Sequence, residues 1–267
     1  MSNSRRGFEQ GVTTLIHSRF FIFTAYLVFV ASAELLTVYD AKYGMVLYAF
    51  ILFALLIHAS LISTADNEFS GLLVVLIFAP LIRILSLSMP LSHFNYLTGF
   101  TITSIPFYIA IFTCLYIQHI KPQDVALALP KLRHLPLEIS TILIAVPVGI
   151  LEYHILKPGI LVKPGFETLI IPALIMLICT GFLEELAFRG LIQYHATRSM
   201  GFSGIILVSV LFGFLHIGNL SLLDVLLAGS IGFLYSLVVR KTGSLFGVSV
   251  SHGVINIMLF LIAPFYF

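Results

Sequence analysis

The sequence predicts an all-α fold, a polytopic transmembrane bundle of about eight or nine membrane-spanning helices. Three observations predict it. Of 267 residues, 59% are hydrophobic and only 10% are charged, whereas soluble domains carry roughly 25% charged residues. The apolar residues are gathered into about nine runs near the 20-residue length that crosses a hydrocarbon core of roughly 30 Å. Those runs are rich in Leu, Ile, Phe and Ala without the short alternation of a barrel strand, and in lipid a helix satisfies its own backbone.

The runs fall, in order, at residues 20–39, 44–63, 69–88, 98–119, 136–156, 167–191, 203–217, 222–240 and 245–264. Arg5, Arg6 and Glu9 precede the first, and no A-x-A cleavage site follows it, so it reads as a retained span rather than a signal peptide. Lys121 and Pro122 close the fourth run, Pro130 to Pro136 precedes the fifth, and Lys157 with Pro158 ends it. The polar stretch from Lys121 to Pro136 is the best internal boundary. It divides N-terminal spans of unassigned role (residues 1–135) from a C-terminal core (residues 136–267). The seventh run is the shortest, and its 15 residues reach only about 22 Å. Gly229 and Gly232 in the eighth suit close helix packing.

Charge reports topology here. With the N-terminus in the cytoplasm, Arg5, Arg6, Arg19, Lys121, Lys131, Arg133, Arg198, Arg240 and Lys241 lie inside. Lys42, Lys157 and Lys163 lie outside, nine against three, as the positive-inside rule prefers. The formal charge of +2 and the lack of a long basic tract argue against nucleic acid as a partner. The partner the composition does imply is the lipid bilayer. Cys114 and Cys179 both fall in apolar runs and read as small apolar fillers rather than a disulfide.

The sixth run contains Gly-Phe-Leu-Glu-Glu-Leu-Ala-Phe-Arg-Gly at 181–190. A charged residue at a span centre costs about 2.5–3.5 kcal/mol on insertion scales, so these groups need partners. Glu185 and Arg189 are four apart with Glu first, the spacing of an ion pair on one helix face. Glu184 lies about 100° around the helix and is the freer carboxylate, directed at other spans or a cavity. Downstream, Phe212 and His216 share a face in the seventh span, and His252 and Asn256 share one in the ninth. Alone, each histidine reads as a packing residue bonded to a carbonyl. Glu34 and Arg83 could pair across the first and third spans, His58 is a polar residue of the second, and Glu152 and His154 lie where the fifth run meets the interface.

The series Glu-Glu-x-x-x-Arg, Phe-x-x-x-His and His-x-x-x-Asn, on three helices in this order within 73 residues, resembles the CPBP family of intramembrane proteases. That family takes in CAAX prenyl proteases of the Ras-converting enzyme type and the Abi proteins. The likeness covers about residues 140–260. It implies an endopeptidase in which Glu184 and His216 activate a water, His252 and Asn256 stabilise the oxyanion, and Glu185 and Arg189 support the site. Losing one oxyanion donor typically costs about 2.7–4 kcal/mol, which is why such donors matter. Phe212 has no acid or base function and stays outside the catalytic set.

The resemblance also implies a membrane-associated peptide or protein substrate, prenylated in the eukaryotic branch, with a cavity among the sixth, seventh and ninth spans that opens to the cytosol. The setting expected is multi-pass, in a prokaryotic plasma membrane. No cofactor is expected. Zinc held by Glu and His is the alternative, but His-Glu-x-x-His is absent. Two rivals of other classes are a non-catalytic scaffold or bacteriocin-immunity protein on the same fold and a proton-coupled transporter. The transporter reading lacks the broken-helix repeat.

Overall fold

In lipid the usual sorting of residues inverts, because the solvent is as apolar as a core. Side chains such as Phe21, Val46, Phe53, Ile109 and Leu143 point outward, while Glu34, Glu138, Glu185, Arg189 and Asp224 are buried inside. A computed structural model describes residues 2–89, 95–162 and 165–267, with side chains from residue 18 onward apart from 166. Arg5, Arg6 and Lys163, which enter the charge count above, lie outside the described side chains.

Among the described residues, nine helices are long and apolar enough to cross a membrane, and there is no strand. They are α1 (Ser18–Tyr39), α2 (Ala41–Ile62), α3 (Asn67–Ser88), α4 (Tyr96–Ile117), α5 (Leu132–Leu156), α6 (Glu167–Met200), α7 (Phe202–Asn219), α8 (Leu222–Thr242) and α9 (Phe246–Tyr266). Eight agree with the apolar runs to within a few residues. α6 continues nine residues beyond its expected end at 191, because its polar tail finds partners within the bundle. Gln193 donates to the Ser236 carbonyl at 3.0 Å, and Arg19 donates to that of Ser199 at 2.8 Å.

Helix ends follow local chemistry. Asp40, Asp66, Asn95 and Ser221 each accept a backbone N–H of the helix they start. Gly243 takes a left-handed φ of 69° to end α8. α9 begins differently: Glu138 of α5 accepts the Gly247 N–H at 2.5 Å, placing a carboxylate on the first turn of a neighbouring helix. Only glycine fits there, since a Cβ would stand 2.1 Å from Glu138 Oε2.

Small residues draw the C-terminal spans together. A Cβ on Gly181 would meet Gly253 N at 2.6 Å, bringing α6 against α9, and one on Gly149 would meet Met258 Cβ at 2.5 Å, bringing α5 against α9. Gly213 touches Val225 and Gly229 between α7 and α8. Tyr235 donates to Ser251 at 2.6 Å, and Ser251 donates to the Thr141 carbonyl at 2.7 Å. α9 is thereby fixed between α5, α6 and α8. In the N-terminal spans Glu34 is fully buried and accepts from Tyr48 and from both Nε and Nη2 of Arg83, an ion pair joining α1 and α3. His58 contacts the Tyr26 hydroxyl at 3.0 Å. Both cysteines are free.

Candidate active site

The middle of α6 departs from regular helix. Residues Met176–Phe182 and Leu186–Ile192 are π-helical and flank the short α-helical turn Leu183–Glu185. Such wide turns recur at functional sites, where they re-aim side chains. Here the two adjacent carboxylates diverge as their spacing predicts. Glu185 is fully buried and accepts from Arg189 Nη1 at 3.1 Å. The Glu184 side chain keeps about a quarter of its exposure and lines a cavity.

The Glu185–Arg189 pair has a further member that residue spacing could not reveal. His252 Nδ1 lies 2.8 Å from the same Glu185 oxygen, so one carboxylate holds both the guanidinium and the imidazole. His252 Nε2 then points to Glu184, 3.9 Å from its Oε2. A carboxylate accepts, so Nδ1 carries a hydrogen and the ring is oriented by Glu185. Arg189 is enclosed by aromatic faces: Phe212 at 4.1 Å, Tyr235 at 5.7 Å and Phe188 at 6.0 Å from its guanidinium carbon. Gly232 leaves it space, because a Cβ there would stand 2.7 Å from Arg189 Nη2.

His216 follows the last regular turn of α7, with Nδ1 3.0 Å from the Phe212 carbonyl. A carbonyl can only accept, so the hydrogen sits on Nδ1 and, in the neutral ring, Nε2 keeps a lone pair. Asn256 donates from Nδ2 to Thr180 Oγ1 at 2.9 Å, and Thr180 donates to the Met176 carbonyl at 2.5 Å. Thr180 therefore sets the Asn256 amide. Its sequence signal is a hydroxyl one turn before Glu184, which is weak by itself.

These groups meet in one cavity of about 440 Å³, within the range of small-ligand and peptide pockets. Glu184, His216, His252 and Asn256 all line it, and α6, α7 and α9 supply them as expected. Its wall is wider than those three helices. Arg83 of α3, Tyr96 and Phe100 of α4, and Glu152 and Leu156 of α5 also face it. Glu152, read from sequence as interfacial, thus stands in the cavity because α5 packs its last turns against α9. His154 is exposed near the ring of Phe267.

A larger cavity of about 820 Å³ lies at the other end of the bundle, walled by residues that include Ser70, Gln118 and His195, and it contains none of the predicted site residues. Among the described residues no three His, Cys, Asp or Glu side chains converge as metal ligands would.

Comparison with known protein families gives a match over the C-terminal spans. Residues 166–258 match the family described as Type II CAAX prenyl endopeptidase Rce1-like, a segment that runs from the start of α6 into α9 and contains all six predicted residues. No curated protein and no solved structure matches the chain. The chain is an all-helical, multi-pass integral membrane protein, and over residues 166–258, from the start of α6 into α9, it is similar to CAAX prenyl endopeptidases of the Rce1-like type.

Proposed function

We propose that the chain is a glutamate-type intramembrane endopeptidase. The observation that carries this reading is the meeting of Glu184, His216, His252 and Asn256, drawn from three helices, on one cavity inside the bundle. In the proposed reaction a water sits between Glu184 and the Nε2 lone pair of His216. Glu184 takes one of its protons as the water oxygen bonds to the scissile carbonyl carbon. The oxyanion accepts from the second Nδ2 hydrogen of Asn256 and from His252 Nε2–H.

For Nε2 to donate while Nδ1–H is bonded to Glu185, the ring carries both hydrogens, and Glu185 is its counter-charge. The C–N bond then breaks and the proton held by Glu184 passes to the leaving nitrogen, giving one fragment that ends in a carboxylic acid, which keeps the second hydrogen of the water, and one that ends in a free amine. The surrounding helices lower the local dielectric around these groups, which strengthens each of these interactions.

Thr180 is a positioning residue for Asn256, and Glu185 one for His252. The reaction as written needs no metal. The Lys/Arg bias supports an N-terminus in the cytoplasm. The test is turnover: purified protein should cleave fluorescence-quenched casein-derived peptides, and Glu184→Ala or His216→Ala should abolish cleavage while leaving thermal unfolding cooperative. Undiminished cleavage by both variants would sink the assignment.

A further inference from the structure

The location of the cavity along the bundle axis bears on which substrates can reach it. One end of the bundle is marked by Arg19, which bonds Asp66, Glu68 and the Ser199 carbonyl, and by the Leu245 N–H bonded to the Ala126 carbonyl. These contacts gather the start of α1, the α2–α3 and α4–α5 connections, the end of α6 and the α8–α9 turn. The opposite end gathers the α1–α2 turn, the ends of α3, α5 and α7, and the start of α4. Gly218 there lies against Glu34 and Arg83, and Tyr96 lies against Phe260.

The cavity belongs to this second end. Its lining includes Arg83 and Ser86 from the end of α3, Tyr96 from the first turn of α4, Pro158 beyond α5, and Asn219 at the end of α7. From there it descends to Glu184, midway along α6, and to Phe107 and Phe188 at its floor.

The two ends differ in charge. Arg19, Lys121, Lys131, Arg133, Arg198, Arg240 and Lys241 lie at the first end, and Lys42 and Lys157 at the second, among the described residues. The remaining cations with described side chains, Arg83 and Arg189, are within spans and bonded to Glu34 and Glu185. A bias this large places the first end in the cytoplasm. The cavity end is then the non-cytoplasmic one.

We infer that water and substrate enter the site from the non-cytoplasmic face, so that the substrate class is a peptide segment exposed on that face, from an exported or membrane-anchored protein. The C-terminus of a cytosolic lipid-modified protein does not fit this route. The cleavage part of the inference rests on the endopeptidase reading, whereas the sidedness does not. It also reverses the cytosolic opening that the family resemblance implies.

The test separates the two. In full-length protein with Cys114→Ser and Cys179→Ser, Gly159→Cys places a thiol in open space at the cavity end. Leu129→Cys places one on an exposed residue of the other end. A sulfonated, membrane-impermeant maleimide added to intact cells should label Gly159→Cys fully and Leu129→Cys only after permeabilisation. The reverse pattern overturns the inference.

With Cys114→Ser alone, Cys179 remains as a thiol on the cavity wall. It should react from outside with a small charged methanethiosulfonate, and failure to react in intact cells overturns the outward opening. Sealed vesicles of both orientations then receive casein-derived quenched peptides too polar to cross lipid. Cleavage confined to right-side-out vesicles supports the route, and cleavage confined to inside-out vesicles overturns it. If detergent-opened vesicles also fail to cleave, the endopeptidase reading falls and the thiol labelling alone decides the sidedness.

Discussion

Glu185 has two neighbours with different claims on it, and one pair of variants separates them. It accepts from Arg189 at 3.1 Å and from His252 at 2.8 Å, and its side chain is wholly buried. In Glu185→Gln the guanidinium loses its carboxylate. Arg189 Nε and Nη2 have no hydrogen-bond partner among the described residues, so only a neutral amide oxygen and ring faces remain around a buried cation. Removing one member of a buried pair costs about 3–5 kcal/mol. The aromatic enclosure retains about 2 kcal/mol of cation–π attraction, which places the expected loss toward the lower end.

Adding Arg189→Met removes the stranded charge, and replacing both members of such a pair by groups of similar volume is close to neutral. Stability of the double variant should return to within about 1 kcal/mol of wild type. Turnover should not return with it. The amide still accepts His252 Nδ1–H but no longer balances a ring that carries both hydrogens. Replacing an orienting carboxylate by its amide costs about ten-thousand-fold in serine protease triads, which sets the upper bound for the loss here. Thermal unfolding in detergent and peptide cleavage, measured on both variants, give the two readouts. A double variant that recovers stability and full turnover together would refute the assignment of Glu185 to His252.

Other outcomes follow from the same contacts. Asn256→Ala should lower kcat by about a hundred- to a thousand-fold with KM little changed, as for loss of one oxyanion donor. Thr180→Val should give a smaller loss in the same steady-state assay, because the amide loses only its anchor. Glu34→Ala should destabilise the protein by about 3–5 kcal/mol by stranding Arg83, and Glu34→Ala with Arg83→Met should recover most of that in a denaturation assay. Gly247→Ala should cost about 1–3 kcal/mol, since its Cβ would displace Glu138 from the start of α9, and unfolding measurements on the purified variant would check it. A chelator such as EDTA should leave cleavage undiminished, and loss of activity restored by added zinc would contradict the metal-free reaction.

The fold was largely legible because lipid imposes one solution on the backbone and leaves it in the sequence as apolar runs of a set length. The exception, the tail of α6 from Gln193 to Met200, is instructive. Composition reads that tail as the end of a span, but Gln193 and Ser199 find their partners on α8 and α1, which no local pattern encodes. The site was legible where groups share a helix, as with Glu185 and Arg189. It was obscure wherever the contact crosses helices: His252 with Glu185, Asn256 with Thr180, and Glu152 turned into the cavity. Glu34 with Arg83 was accessible without local spacing because two opposite charges stranded in lipid have few other options.

The contribution of the N-terminal spans is the point at which sequence and structure differ most for function. No motif marks residues 1–135, yet Arg83 and Tyr96 from these spans stand on the cavity wall. Glu34 takes two of the Arg83 nitrogens, which fixes the guanidinium at the rim of the cavity. Since Glu34 balances its charge, Arg83 adds little net field at Glu184. Its effect there is to be expected through geometry, by holding α3 against the end of α7 near Gly218. Arg83→Met combined with Glu34→Leu should therefore leave kcat within about threefold of wild type, in line with the near-neutral replacement of a buried pair. A much larger loss of kcat with normal stability would mean that Arg83 contacts the peptide itself, and the N-terminal spans would then form part of the substrate-binding surface.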